Sequence, residues 1–570
     1  MDKKNGTTNL KKISLNFYSN FTSELLDVFI KVEFYKIGYL VKIKHFSYGE
    51  IEENIYDNSK PDPDIIFFHY RTEDYFPNIY SQLILENKKE LLETADEKIN
   101  NLQSLVQKLK KSSKSKIFIS NFCISGKSII NTFQNNLKIT ELELVNYLNT
   151  KIRAFCVKYI SLYIYDFNTF VNEYGLSNII DNKLWHMSKM PFRLEYQCEL
   201  VKSFIKTINA SLIASKKCLV LDLDNTLWGG VLGEGDYETV QLGEQFPGNI
   251  FKEFQKTLLN YREMGILLAI VSKNNIDDVL SFINFNEDCL IKESHLSAIK
   301  ANWKDKATNI KEIAKELNIN LDAIVFFDNS SLEREWVKSQ LPQVKVIDVP
   351  INPIYYKSVL LNSRFFDKIS LTEEDKKRPL LYSLEKKRRI HQKTFNDYND
   401  FIKNLNIVIT IKNIAINEIK RVTQLINKVN QFNLTTNRLD ENQVLRLIEG
   451  KEKIFGIRLK DKFGDLGIVG VIILKFKESY ICEIDNFLIS CRALGRKVEH
   501  ETIRFLLSYL KKNNYKKIIG KFSPSKKNMQ VKNFYFSVGF KKTSIKNEWC
   551  YNLLNYKNTT EKFGKVKFIE

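Results

Sequence analysis

Two acids, Asp222 and Asp224, stand where the apolar run Leu219-Val220-Leu221 abruptly ends. Residues i and i+2 of an extended chain project to one side. At the carboxyl end of a parallel strand, where open α/β folds bind ligands, such a pair can hold a hard cation and a phosphate between them. One carboxylate, Asp222, would attack phosphorus to form an aspartyl-phosphate. The other, Asp224, would protonate the leaving oxygen and then activate the second acceptor. The plainer reading is that both acids cap the next turn. The fuller pattern, in which Thr226 follows at the next alternate position, favours chemistry.

Three later segments supply what that reaction needs. Leu268-Ala269-Ile270-Val271 ends in Ser272-Lys273-Asn274, a hydroxyl, an ammonium and an amide for phosphate oxygens. Asn302-Trp303-Lys304-Asp305-Lys306 precedes a helical pattern and offers a cation, Lys304 or Lys306, to balance the phosphorylated acid. Val325-Phe326-Phe327 ends in Asp328-Asn329, which can complete a metal shell with Asp222 and Asp224. Singly, each has a bland explanation: Ser272 a turn, Lys306 a helix start, Asp328 a cap. Their order after apolar strands ties them together.

The elements that must position these residues alternate in type. Cys218–Leu223, Leu267–Val271 and Ile324–Phe327 read as buried strands, with helical patterns over Ile250–Arg262 and Ala307–Leu317 between them. Ahead of them, Ile13–Phe17, Ile65–His69 and Ile117–Phe122 read as strands, and Leu91, Ala95, Ile99, Leu102, Val106 and Leu109 recur at helical spacing. Strand–helix alternation predicts parallel sheets in both regions. Thr372–Lys393 is a charged connecting helix that Thr372 and Asp375 could cap. From about 405 the pattern becomes α+β, with strands at Ile407–Ile411, Ile454–Lys460, Gly467–Lys475 and Lys517–Phe522, helices near 417–430 and 497–511, and a hairpin around Phe463-Gly464-Asp465. The interval between Asp224 and Ser272 holds a helix and a hairpin flap at Trp228–Gly243, with no room for a large cap.

Length sets the number of cores. A chain of 570 residues exceeds one core. The formal net charge is +20, and fifteen lysines against three glutamates in residues 511–570 account for twelve of it. This excess is either an attraction for an acidic partner or plain lysine enrichment. Eight cysteines without a C-x-x-C pair give no zinc or disulfide framework, so reduced thiols in a cytoplasm are expected. No secretory signal and no membrane-length apolar run is visible, which predicts a cytoplasmic protein without a membrane partner.

Through Cys218–Glu234, Asn302–Ala307 and Phe326–Glu335 the chain resembles the haloacid dehalogenase (HAD) superfamily, in particular its FkbH-like, HAD-IIIC branch. The resemblance implies Asp222 as nucleophile, Asp224 as acid/base, Ser272 and Lys306 as the second and third motifs, and Asp328 and Asn329 as the fourth. One departure is Asn329, where the family commonly has a second aspartate. Mg2+ is the implied cofactor and a phosphorylated small molecule the implied substrate. An acyl carrier protein is a further possible partner, and nucleic acid is not expected. The C-terminal third resembles a GNAT-type fold through Asn430–Thr436, Phe463-Gly464-Asp465, the loop Cys491–Arg496 and Phe534–Phe540. There Arg492, Gly495 and Arg496 are the candidate acyl or pantetheine-binding residues, for coenzyme A or phosphopantetheine, although Lys497 replaces the small residue expected next. The N-terminal region resembles an SGNH-hydrolase-like domain, with Ser19, Asp181 and His186 at unfamiliar spacing, and reads as non-catalytic.

The expected architecture is therefore an α/β multidomain chain. An SGNH-like α/β domain over 1–210 precedes a HAD-like, Rossmannoid parallel sheet over 211–365. A helical linker over 366–404 leads to a GNAT-like α+β domain over 405–570. The leading functional expectation is Mg-dependent phosphate removal or transfer on a metabolite or carrier-bound intermediate. The alternatives are glyceryl transfer from bisphosphoglycerate to an acyl carrier protein, and a non-catalytic scaffold.

Overall fold

The computed structural model describes residues 10–47, 50–56, 62–85, 87–125, 130, 132–159, 161–232, 240–450, 452–477, 480–490, 492–525, 527–556 and 563–569. It separates into two compact units, residues 1–214 with 367–369, and residues 215–366 with 370–570. The second unit thus takes in most of the expected segments 211–365, 366–404 and 405–570, while 211–214 and 367–369 fall in the first. Among the described residues no helix is long and apolar enough to cross a membrane.

The first unit is built on a five-stranded parallel sheet in the order β2-β1-β3-β4-β5. Its strands are β1 (Lys11–Ser19), β2 (Tyr39–Ser47), β3 (Ile65–His69), β4 (Lys116–Ser120) and β5 (Leu162–Tyr165). Every residue of β3 is buried, as a strand covered on both faces requires. Helices Lys88–Ser112 and Glu141–Lys158 cover one face and helix Leu194–Leu212 the other.

In the second unit, β6 (Cys218–Leu221), β7 (Leu267–Ser272), β8 (Leu296–Ala301), β9 (Ile324–Phe327) and β10 (Lys345–Val346) form another parallel sheet, ordered β10-β9-β6-β7-β8. The chain steps from β6 to β7 and β8 on one side and then crosses to β9 on the other. The order therefore reverses between β6 and β9. Odd-numbered residues of β6 pack with Trp228, Phe254 and Tyr356. Even-numbered ones, with Phe326, pack against Ala307, Ile310 and Ile313 of helix Lys306–Glu316. Gly229 and Gln241 exchange backbone hydrogen bonds at the base of the expected flap, whose residues 233–239 lie outside the described residues. Helix Gly248–Glu263 follows it, with no inserted cap among the described residues.

The third sheet holds β11 (Val408–Asn413), β12 (Phe432–Asn433), β13 (Lys453–Asp461), β14 (Gly464–Lys477), β15 (Ile481–Ile489), β16 (Lys517–Lys521), β17 (Lys541–Lys542), β18 (Glu548–Asn552) and β19 (Lys565–Ile569). Its main path runs β17-β18-β16-β15-β14-β13-β11-β19, mostly antiparallel, with β15–β16 and β11–β19 parallel. β13 and β14 form the expected hairpin, Asp461 opposite Gly464.

Linker helices fasten this sheet to the central one. Thr372 and Asp375 make the expected capping box. Arg388, on helix Arg378–Gln392, makes a bidentate buried ion pair with Asp461 at 2.7 and 2.8 Å. Arg389 donates to the Glu316 carbonyl at the end of the central helix, and Arg378 donates to Gly265 O at 2.7 Å. Gly265 has φ +82°, and a Cβ there would meet Asp375 O at 1.8 Å, so only glycine fits.

Candidate active site

Register explains why distant residues converge. Leu221 pairs with Phe327, so Asp222 and Asp328 leave neighbouring strands at the same height. The Asp222 amide donates to Phe327 O at 3.1 Å and keeps that alignment one step past the strand. Both acids share the parity of Val220 and Phe326, so they face the helix that begins with Lys306. Its ammonium lies 2.8 Å from Asp222 Oδ1 and 2.6 Å from Asp328 Oδ2. All three side chains are buried, Asp328 completely. Two carboxylates against one ammonium leave this group with a net charge of −1, at the point where strand order reverses.

Burial raises Asp222 to about 7; Lys306 pulls it down and Asp328 pushes it further up. Burial depresses Lys306, but the Asp222 and Asp328 carboxylates outweigh that and hold it above the usual lysine range. Asp328 Oδ1 accepts from Ser330 N at 2.8 Å, and Arg334 Nη1 donates to the carbonyls of both Asp328 and Asn329 at 2.8 Å. Sequence reasoning passed over Arg334; its signal was a lone arginine one helical turn into Ser331–Gln340.

Asp224 is held differently. Its Oδ1 accepts from Trp228 Nε1 at 3.1 Å and from Leu232 N at 2.9 Å, and its Oδ2 accepts from Asn274 Nδ2 at 2.7 Å. Asn274 also donates to Ser272 Oγ at 2.9 Å, so Ser272 is tied to the acid/base candidate through one amide. Thr226, fully buried, donates to Asn329 Oδ1 at 3.4 Å across the gap between β6 and β9. Asn225 makes the intervening turn in the left-handed region (φ +52°), and Tyr356 OH donates to its carbonyl at 3.1 Å. Trp228 and Tyr356 were not recognised as site supports because a buried aromatic reads as core.

Several expectations change. Lys273, expected on phosphate, is exposed and ion-paired with Glu333 at 2.6 Å, so its charge serves helix Ser331–Gln340. The Asp224 side chain, expected in the metal shell, has both oxygens engaged by protein donors, as does Asp328. Gly495 (φ +79°) gives its carbonyl to Tyr398 OH at 2.8 Å. Arg496 is buried against Glu385 at 2.7 Å and Asp461 at 3.4 Å, so it closes a linker contact instead of facing a ligand. Cys491 lies outside the described residues. Beyond Ile484 and Gly520, where β15 and β16 stop pairing, Leu434 N donates to Phe487 O and Leu434 O accepts from Ser523 N. The chain's own backbone thus fills the opening between those strands.

In the first unit Ser19 Oγ donates to Phe21 O, Asp181 caps helix Asn182–Ser188, and His186 is exposed. No hydrogen bond among the described residues joins them. A different set does line up: Ser23 Oγ lies 2.7 Å from His45 Nδ1, and His45 Nε2 lies 2.6 Å from Asp27 Oδ1. Ser23 is 2% exposed, so this network braces helix Asp27–Lys36 against β2.

Among the described residues no three His, Cys, Asp or Glu side chains gather into a metal cage. Mg2+ does not require one, since it binds through one or two carboxylates while keeping waters and substrate oxygens. The hard oxygens of Asp222 and Asp328, the amide of Asn329 and the residual negative charge fit such an ion.

Residues 14–209 match the family model of the FkbH N-terminal domain, and residues 217–346 match that of the NLI interacting factor-like phosphatases. The chain is thus similar to an FkbH N-terminal domain over its first unit and to a HAD-like phosphatase domain in the segment that follows. Among solved structures, the N-terminal part of a Bacteroides fragilis protein, containing a phosphatase domain complexed with Mg, is 25% identical. It covers 64% of this chain and 96% of its own, with a TM-score of 0.55. A domain from Methanocaldococcus jannaschii is 20% identical over 25% of this chain and 96% of its own, with a TM-score of 0.21. A GNAT-family acetyltransferase from Staphylococcus aureus is 14% identical over 25% of this chain and 99% of its own, with a TM-score of 0.20. No curated protein matches the chain.

Proposed function

We propose that this chain is a Mg-dependent phosphatase or phosphotransferase that works through a phosphorylated Asp222, on a phosphorylated metabolite or a carrier-bound intermediate. The observation that carries the reading is Asp222 and Asp328 flanking the Lys306 ammonium at the carboxyl edge of the sheet, beside an oriented Asp224. Asp222 Oδ attacks phosphorus as the bond to the leaving oxygen breaks, and the proton from Asp224 goes to that oxygen. Asp224 then takes a proton from the incoming acceptor, whose oxygen displaces Asp222 and restores the free carboxylate. Lys306 balances the charge on the phosphorylated acid, the Ser272 hydroxyl can serve a phosphoryl oxygen, and Thr226 holds Asn329. Asp222, Asp328 and Asn329 would hold a bound Mg2+, which would relieve repulsion between the anionic nucleophile and the anionic substrate.

Glyceryl transfer through a thiol of this chain gains no support from Cys218. It sits at the amino end of β6, is fully buried, and burial pushes its thiol far above the reactive range. An inert scaffold is disfavoured by the buried Asp222–Lys306–Asp328 group, since buried charges are costly to keep for stability alone. Hydrolysis of a generic aryl phosphate, with and without Mg2+, tests the proposal. Metal-dependent turnover that disappears in Asp222→Asn supports it; equal turnover by both proteins overturns it.

A further inference from the structure

A second concavity, of about 430 Å³, opens where the central sheet, the linker and the C-terminal sheet meet. Six cationic residues line it: Lys217, Arg378, Arg421, Lys428, Arg492 and Lys527. They come from five separate stretches of chain, so no one local sequence feature creates the accumulation. Its other polar lining is neutral: Asn318, Asn320, Gln424, Asn430, Gln431, Ser490 and the Tyr382 hydroxyl. No carboxylate lines it among the described residues. An adjoining cavity shares Asn318, Tyr382 and Arg492 but sets Glu316 and Glu385 among Lys386, Arg389 and Lys393, so half of its positive charge is offset. Asp375, paired with Arg378 behind the wall, offsets a single charge of the first.

Two of the arginines are held in place. Arg421 is buried, with Nη2 3.0 Å from Ile468 O and Nη1 2.6 Å from Gln424 Oε1, and Arg378 is anchored on Gly265 O. Fixed guanidiniums lose little freedom when they meet an anion. Lys428 is open to the cavity yet surrounded by protein. Burial lowers its ammonium to about 8; Asp375 opposes the shift, and Lys217, Arg378 and Arg421 add to it. Six cationic side chains around one concavity, with no carboxylate among its described lining residues, mark a place that an anion would relieve.

The concavity is not the reaction centre. Lys217 immediately precedes β6, and Asn318 and Asn320 precede β9, which places them at the amino edge of the central sheet. Asp222 and Asp328 leave the carboxyl edges of the same strands. At about 3.3 Å per residue, the four residues of β6 put roughly 13 Å between the two edges. A ligand in this concavity is therefore a different molecule, or a different part of a molecule, from the reacting phosphate.

We propose that this basic concavity binds a small phosphorylated ligand carrying at least two negative charges, such as a diphosphate-bearing molecule. The volume suits a metabolite, and charge-assisted bonds to phosphoryl oxygens are the strong ones available to these side chains. This inference does not rest on the phosphatase reading.

Calorimetric titration of inorganic diphosphate into the full-length chain, without divalent metal, tests it. Lys428 and Lys527 are exposed, so Lys428→Gln and Lys527→Gln should fold normally. Each is expected to weaken one-to-one binding by about tenfold, with kcat and KM for an aryl phosphate unchanged. Lys541→Gln/Lys542→Gln, which removes two exposed charges from β17, is expected to leave binding intact. No binding by the wild-type chain overturns the proposal. So does equal weakening in the β17 control, or binding that survives both cleft variants and vanishes in Lys306→Met.

Discussion

Asn274 donates to the Asp224 carboxylate at 2.7 Å, and with the same amide reaches Ser272 Oγ at 2.9 Å. The residue expected to hold phosphate thus orients the expected acid/base. In Asn274→Ala, kcat for an aryl phosphate should fall by roughly 10²-fold, the range of a misplaced general acid, while KM changes little. A KM rise with kcat preserved would return Asn274 to a plain phosphate-binding role.

Removing the nucleophile is more severe. Asp222→Asn should lower kcat by at least about 10³-fold, with an unchanged far-UV circular dichroism spectrum. Intact-mass measurement after mixing wild-type chain with substrate and acid-quenching should show a phosphorylated species that the variant lacks.

The raised Asp222 gives stability a defined pH dependence. Its ordinary value is 3.8 and its folded value about 7, so between these limits the folded chain holds a proton that the unfolded chain releases. Stability from this group is greatest below pH 3.8 and is lost as pH rises through 7, by at most about 1.4 kcal/mol per unit. Thermal melts of the metal-free chain from pH 5 to 8 should show a downward component that Asp222→Asn removes.

Lys306→Met leaves two buried carboxylates side by side. Loss of one partner from a buried charged group costs about 3–5 kcal/mol, so the melting temperature should drop. The drop should be smaller at pH 5 than at pH 8, because protonation of Asp222 relieves the repulsion. A drop independent of pH would mean that lost packing, not charge, explains it.

Arg388→Met should destabilise the chain by about 3 kcal/mol in urea melts, because Asp461 is fully buried behind its bidentate partner. Aryl phosphate kcat should be unaffected where the variant is folded.

Much of the central domain was legible because its signals are local. Ile324–Phe327 appears as read, and Leu267–Val271 lengthens by one residue, since wholly apolar runs closed by polar residues admit few alternatives. β8 escaped notice because Ser297 and Lys300 interrupt its apolar pattern, and β2 because lysines alternate along an edge strand. Lys306 and Asp328 were found by motif, but their meeting with Asp222 depends on sheet register and helix packing, which act across the 84 to 106 residues separating them from Asp222 in the chain. The ion-pair partners of Lys273 and Arg496 were not legible, because sequence shows a charge and not its partner. Glu333 lies sixty positions from Lys273, and Glu385 precedes Arg496 by 111.

Gly265 touches the Asp375 backbone so closely that one added methyl would collide with it. A junction pressed that tight leaves no slack for a hinge. The terminal sheet must therefore travel with the scaffold of the reaction centre. Any exchange of one for a relative's version, natural or engineered, would have to bring the matching stretch around Asp375 along with it.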